Sequence, residues 1–414
     1  MHCDGRLFGS CSVSSSGGSS LDSIESNVFK GEKRCNVING RDIKLSSTMN
    51  TKIVEIIKSG NTDMESKLSF ISVGLRVESV REIFLFLNFH KINGLRFFRW
   101  LRCYNPKWHR SAEVCSHVIC NCGCLGDFKT MKLLLHEFSA ERICLDENAF
   151  RFLPLFHSSK DSLSKSVTRV VSLLGEVGGS CHKSGIWGLI EMFCSLESFE
   201  MARFVIEITG KKDAHINMLV RHRCKREHFE EAKSIIREMQ DPTVTSYNYL
   251  IGSLCKADKF VEASGLVGEM ESKGVHPDDI TFDILVHYSC NSGKLDIAKQ
   301  WIDKMVNSGL CPRISTHGAM LKAFFRAELH QEARNYVIDS TVKFPHSSPI
   351  IYSVFADLHQ GNGRLKDARD ILVEMMAKGL RPNFRIYVKI LNQLRKTGRG
   401  GQMAQDLEDR YRSL

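Results

Sequence analysis

The densest group of chemically capable side chains is the run ICNCGC, Ile119–Cys124, which places thiols at Cys120, Cys122 and Cys124. Structural zinc takes Cys-x-x-Cys pairs completed by a second pair or by histidines. Here the thiols stand two residues apart, a spacing that on one helix aims them in different directions. His117, three residues before Cys120, makes a weak additional ligand. The cysteines read as small buried hydrophobes, and neither a metal nor a cofactor is expected. GRGGQ (Gly398–Gln402) follows a helical pattern and not a strand, so it lacks the setting of a phosphate-cradling loop. RKTGR (Arg395–Arg399) reads as a solvated helix end, and His215, His222 and His228 as exposed or capping side chains. No catalytic residue stands out, so neither an enzyme nor a small-molecule substrate is expected.

What does stand out is a period. Only eight prolines occur, yet Pro242, Pro277, Pro312 and Pro382 are multiples of 35 residues apart. Ala263, Ala298, Ala333 and Ala368 keep the same interval, as do Met270, Met305 and Met375, and Gly274, Gly309 and Gly379. Four residue types in one register define a repeat. In the unit Val244–Asp278, Tyr247, Leu250, Ile251 and Leu254 form the i, i+3, i+4, i+7 stripe of a helix with one buried face. KADK makes a turn, and Phe260, Ala263, Leu266, Val267 and Met270 line a second helix. Gly274 suits a left-handed cap, and Pro277 stops continuation. The small alanine lets crossing helices approach.

The register gives units 244–278, 279–313, 314–348 and 349–383, with a partial unit 384–414. Units 213–243 and 183–212 precede them at offsets of 31 and 30. Residues 51–182 read as degenerate helical hairpins, among them Ser116–Phe138 and Glu147–Phe156. The expected fold is all-α, a solenoid superhelix of helix-turn-helix repeats, because a unit this small buries its apolar face only against neighbours.

The net charge of +10 favours anionic partners without naming one. The excess is spread along the chain, residues 244–414 carrying 23 Lys and Arg against 19 Asp and Glu. Fifteen scattered cysteines point to a reducing compartment. The run IFLFLNF is too short for a membrane span. Residues 1–50, with SCSVSSSGGSS at Ser10–Ser20, are expected to be disordered. As a transit peptide this segment is weak, since it carries Asp4, Asp22, Glu25, Glu32 and Asp42.

The stretch VTSYNYLIGSLCKADKFVEASGLVGEMESKGVHPD resembles the plant pentatricopeptide repeat almost throughout, and GNGRLKDARDILVEMMAKGLRPN (Gly361–Asn383) nearly as closely. The thirty-four-residue tetratricopeptide repeat, with its Trp-x-x-Leu-Gly-x-x-Tyr opening, fits less well. The resemblance is strong over 244–383, fair over 213–243 and 384–414, and weak before 183. Asn93–Glu113 is similar to the lead-in often found ahead of such arrays. The chain matches the plain, full-length repeat class. Neither the His-x-Glu nor the Pro-Cys-x-x-Cys of a terminal deaminase follows its last repeat.

The resemblance implies single-stranded RNA as partner, bound one base per repeat in a concave groove. In that family the fifth and last residues of a repeat face the base, and the second packs between bases. Carried over, the base-reading pairs are Asn217 with Thr243, Asn248 with Asp278, Asp283 with Arg313, and Ser353 with Asn383. Asn248 with Asp278 is the combination associated with uracil, and Ser353 with Asn383 one associated with adenine. Ser348 stands opposite Gly318, which has no side chain to read with. The sandwiching residues are Thr245, Ile280 and Ile350. An amide such as Asn248 offers a donor and an acceptor, which suits a base edge. Asp283 can only accept, from a base amine or guanine N–H groups. The implied role is an adaptor in organelle RNA metabolism, in the mitochondrion or alternatively the chloroplast. The competing expectation is a scaffold for protein partners, the generic use of a concave solenoid.

Overall fold

The computed structural model describes residues 45–71, 75–155, 159–397 and 400–414, and among these no strand occurs. Ser10–Ser20 and Arg399 lie outside them, as do Gly398 and Phe156. The last residues of the segment expected to be disordered are ordered: Ser47 caps a helix that begins at Thr48. The chain forms two compact units, Met1–Lys211 and Lys212–Leu414.

Unit 1 holds α1 (Thr48–Ser59), α2 (Met64–Ile71), α3 (Val77–Phe89), α4 (Leu95–Tyr104), α5 (Pro106–His109), α6 (Ala112–Cys124), α7 (Phe128–Ala140), α8 (Lys160–Val177), α9 (Gly179–Ser195) and α10 (Phe199–Ile208). The buried Asn121 of α6 ties three segments together. Its Oδ1 accepts the Gly94 N–H at 2.8 Å, while Nδ2 donates to Asn88 Oδ1 at 2.8 Å and to the Ile92 carbonyl at 3.0 Å. Cys120, Cys122 and Cys124 are buried on the same helix, and burial pushes the Cys122 thiol up to about 12. Among the described residues no group of three His, Cys, Asp or Glu is placed to hold a metal ion. The stretch expected to supply a hairpin arm at Glu147–Phe156 is instead two 3-10 turns, Glu147–Phe150 and Leu153–Leu155. Pro154 cannot donate to a continuing α-helix. The hairpin of α9 and α10, which the period assigns to the repeat array, belongs to unit 1: α9 packs on α8, α10 and the first 3-10 turn.

Unit 2 is a row of helical pairs: α11 (Asp213–Lys225) with α12 (Phe229–Glu238), α13 (Val244–Lys256) with α14 (Phe260–Ser272), and α15 (Asp279–Asn291) with α16 (Leu295–Asn307). There follow α17 (Ile314–Arg326) with α18 (His330–Lys343), α19 (Ser348–Gly361) with α20 (Leu365–Ala377), and α21 (Phe384–Lys396) with α22 (Gly401–Arg412). The stretch read as a partial unit thus holds both helices. Each first helix packs on its own second helix and on the first helix of the next pair.

The periodic residues explain this stacking. Tyr247, Leu250, Ile251 and Leu254 of α13 are buried, as are Phe260, Ala263, Leu266, Val267 and Met270 of α14. Ala263, Ala298, Ala333 and Ala368 have no exposed surface, so no larger side chain fits without displacement. Within each of the first five pairs the turn passes through one left-handed residue: Glu227, Asp258, Gly293, Glu328 and Gly363 have φ between 58° and 75°. At the exit of α14, Gly274 takes φ 73° and the Val275 N–H reaches back to the Met270 carbonyl at 3.0 Å, closing the helix end. Ion pairs stitch neighbouring pairs: Arg237 to Glu269 at 3.0 Å, Lys304 to Glu271 at 2.8 Å and Lys389 to Asp357 at 2.7 Å. The guanidinium of Arg237 holds the Glu269 carboxyl below the usual range.

The shorter unit 213–243 loses its residues mainly from its second helix. The helix α12 has 10 residues, whereas α14 and α16 have 13.

Of the three histidines expected at the surface, His215 and His222 are buried on α11, and only His228 is exposed. The two buried residues stand seven apart, two turns of helix, and so share one face of α11.

Two outcomes follow. Ala298→Leu should cost about 1–3 kcal/mol by overpacking, measured by urea unfolding. His317 is buried against Tyr336 and Phe344, with Nδ1 2.8 Å from the Tyr336 hydroxyl. Burial pushes its imidazole down to about 4 from 6.5. The neutral ring's contribution is therefore complete above pH 6.5 and is lost as pH falls toward about 4, because only the unfolded chain binds the proton there. His317→Gln should flatten the fall in stability between pH 7.5 and pH 5, read by the same unfolding.

Candidate functional site

The first helices α11, α13, α15 and α17 of unit 2 each start from an extended residue, and the open N–H groups of their first turns need partners. Thr243 caps α13, accepting the Ser246 N–H at 3.3 Å, and Asp278 caps α15, accepting the Thr281 N–H at 2.8 Å. Thr281 answers by accepting the Asp278 N–H at 3.2 Å, which completes a capping box. These caps are also last residues of their repeats, the places assigned to base contact.

The preceding first helix brings its fifth residue to the same spot. Asn248 Nδ2 donates to Asp278 Oδ1 at 3.1 Å, and Asn248 Oδ1 lies 2.7 Å from the Thr281 hydroxyl. One repeat earlier, Asn217 Nδ2 donates to the Thr243 hydroxyl at 3.2 Å and Asn217 Oδ1 accepts from the Ser246 hydroxyl at 2.5 Å. One repeat later, Asp283 accepts from the Thr316 hydroxyl at 2.6 Å and from Ser315 at 3.2 Å, and His287 Nε2 stands 3.5 Å away. Asn217, Thr243, Asn248, Asp278 and Asp283 are all half-buried, one flank in the stack and the other open. The three rungs lie on successively packed helices. Beside them Thr245 and Ile280 are exposed, Ile280 with 44% of its surface, and Ile350 is half-buried.

The remaining assignments do not hold together in this way. Arg313 does not meet Asp283: its guanidinium pairs with Asp279 at 2.5 Å, the nearer carboxylate on the previous helix start. Ser348 is not in an exit loop. Pro349 favours the first turn of a helix, so Ser348 opens α19, is buried, and gives its hydroxyl to the Thr341 carbonyl at 3.1 Å. Ser353 has no exposed surface. Its hydroxyl donates to the Pro349 carbonyl at 2.6 Å and accepts the Asn383 N–H at 3.0 Å. Neither serine can touch a ligand on the open flank. Asn383 is exposed but caps α21, accepting the N–H of Arg385 at 3.1 Å.

Sequence reasoning missed the hydroxyls of Ser246, Thr281 and Thr316, all fully buried. The signal was present: a hydroxyl residue third in three consecutive units, at 35-residue intervals.

The fold and the rungs define a class, an all-α array of helical pairs that offers equivalent polar side chains at consecutive first-helix starts. Residues 242–291 match the model of the PPR repeat family, and residues 280–310 match that of the PPR repeat. Within residues 242–310 the chain thus carries pentatricopeptide repeats. Among solved structures it is similar to the crystal structure of the pentatricopeptide repeat protein PPR10 from maize, with 18% identity over 85% of this chain and 54% of that one, at a TM-score of 0.41. It is also similar to PPR10 in complex with an 18-nucleotide psaJ RNA element, with 15% identity over 93% of this chain and 66% of that one, at a TM-score of 0.42. The chain thus spans 54% and 66% of the lengths of those two chains. No curated protein matches the chain.

Proposed function

We propose that unit 2 binds a single strand of RNA along the open flank of its first-helix starts, and that it reads bases at three adjacent places. The rungs are Asn217 with Thr243, Asn248 with Asp278, and Asp283. One observation carries this reading: donors and acceptors recur half-buried on consecutive packed helices, held by protein on one side and open on the other. Such groups suit the Watson–Crick edges of unstacked bases, and Thr245 and Ile280 offer exposed surface for a base to pack on. Asp283 selects a base with an amine or N–H group facing it. Gly318 and the buried Ser353 offer nothing on the open flank, so reading stops after the third rung. Similarity to a family with an RNA-bound member supports the assignment.

A second reading has a specific observation in its favour. The last rungs are illegible, and a row of helices with Ile314 and Phe384 exposed by 48% and 64% can equally carry a protein partner.

The test is a binding selection from random single-stranded RNA with the full chain and with Asn248→Thr. The expected result is enrichment in which one nucleotide changes its base preference between the two proteins, with affinity falling as salt rises. Identical enrichment would remove the base-reading claim, and absence of any binding would leave the scaffold reading.

Within the RNA reading the place of action is the mitochondrion, with the chloroplast as alternative. A fluorescent fusion of the full chain found in neither organelle would remove that part.

A further inference from the structure

The hydroxyls at the third place of a repeat follow a rule across the array. Ser246, Thr281 and Thr316 stand against Asn217, Asn248 and Asp283 of the preceding repeat. At the next two places the fifth residue is Gly318 or the buried Ser353, and the third residue of the following repeat is Ile351 or Ile386. Hydroxyl and polar reader occur together and vanish together.

The hydrogen bonds supply the reason. Asp278 Oδ1 already receives the Thr281 N–H and the Asn248 Nδ2–H. Thr281 Oγ1 accepts the Asp278 N–H and has one proton left to give, with two acceptors in reach: Asp278 Oδ1 at 2.8 Å, which already has two donors, and Asn248 Oδ1 at 2.7 Å, which has no other among the described residues. Placing that proton on Asn248 Oδ1 satisfies every group in the triad. It also fixes which end of the amide faces which partner, since the reversed amide would set two acceptor oxygens 3.1 Å apart. One N–H and one lone pair of Asn248 are then left over, in one plane.

We infer that Thr281, and Ser246 on the neighbouring rung, are specificity-determining positioning residues: each buried hydroxyl locks the plane and sense of the asparagine amide that reads a base. They do not touch the RNA. Their effect is on which base is preferred, through the orientation of the remaining N–H and lone pair. Without the hydroxyl, Asn248 keeps its side chain but can rotate its amide, so its preference spreads over several bases. This inference rests on the RNA reading above.

The experiment is the same selection on random single-stranded RNA, run with the full chain and with Thr281→Val and Thr281→Ser, the fold of each checked by thermal unfolding. The expected result for Thr281→Val is a drop of about fivefold to tenfold in base preference at the nucleotide that Asn248→Thr alters, the scale of one hydrogen bond. Other positions should keep their preferences, overall affinity should fall less than about threefold, and Thr281→Ser should restore the preference. An undiminished preference in Thr281→Val would overturn the inference and leave base reading by Asn248 intact. So would a loss spread evenly over all positions, or one that serine does not rescue, since either marks a merely structural role. If the unaltered chain shows no preference that depends on Asn248, the RNA reading itself falls and this inference with it. Should valine unfold the chain, Ser246→Ala makes the same test through Asn217, with the loss expected at the adjacent nucleotide.

Discussion

A pair of helices about thirteen residues long carries more apolar surface than the two can cover by themselves. Everything in unit 2 depends on passing that surplus to the next pair. The alanine that recurs every 35 residues, fully buried in each copy, sets how closely the helices approach. Once that approach is fixed, the first helices must stand side by side in one register, and residues equivalent in sequence become neighbours in space. The polar rungs are a by-product of apolar stacking.

The rungs also show a compromise between two demands on the same atoms. A helix start buried among its neighbours must satisfy its N–H groups, and Thr243, Asp278 and Asn383 do so as caps. A ligand needs groups that are not fully spent. At Asn217 and Asn248 both demands are met, because an amide has two N–H groups and two lone pairs and the protein engages only part of them. A serine hydroxyl has less to divide. Ser353 spends its proton on Pro349 and a lone pair on Asn383, with no surface left for anything else.

Most of unit 2 was legible in the sequence because its determinants are strictly periodic. Tyr247 and Ala263 each mark a position that is buried in each of the four units from 244 to 383, and Gly274 marks a left-handed helix exit that Gly309 and Gly379 repeat. The candidate site was legible only in part. Asn248 and Asp278 meet because both lie within one intact register, whereas Arg313 turned to Asp279 and Ser348 was drawn into a helix by Pro349, choices made by neighbours that no interval encodes. In unit 1 the intervals have decayed. There Pro154 broke a helix that hydrophobicity alone suggested, and Asn121 became a buried tie that composition could not foretell.

The shortened second helix of the 31-residue repeat has a wider meaning. Its α12 is three residues shorter than α14, about 4.5 Å of length at 1.5 Å per residue, yet α11 and α13 remain thirteen residues each and still meet through Asn217 and Ser246. Length is therefore negotiable in one layer and fixed in the other. Insertions and deletions confined to second helices leave the pitch of the polar row untouched, so such a chain can drift in size without losing its frame.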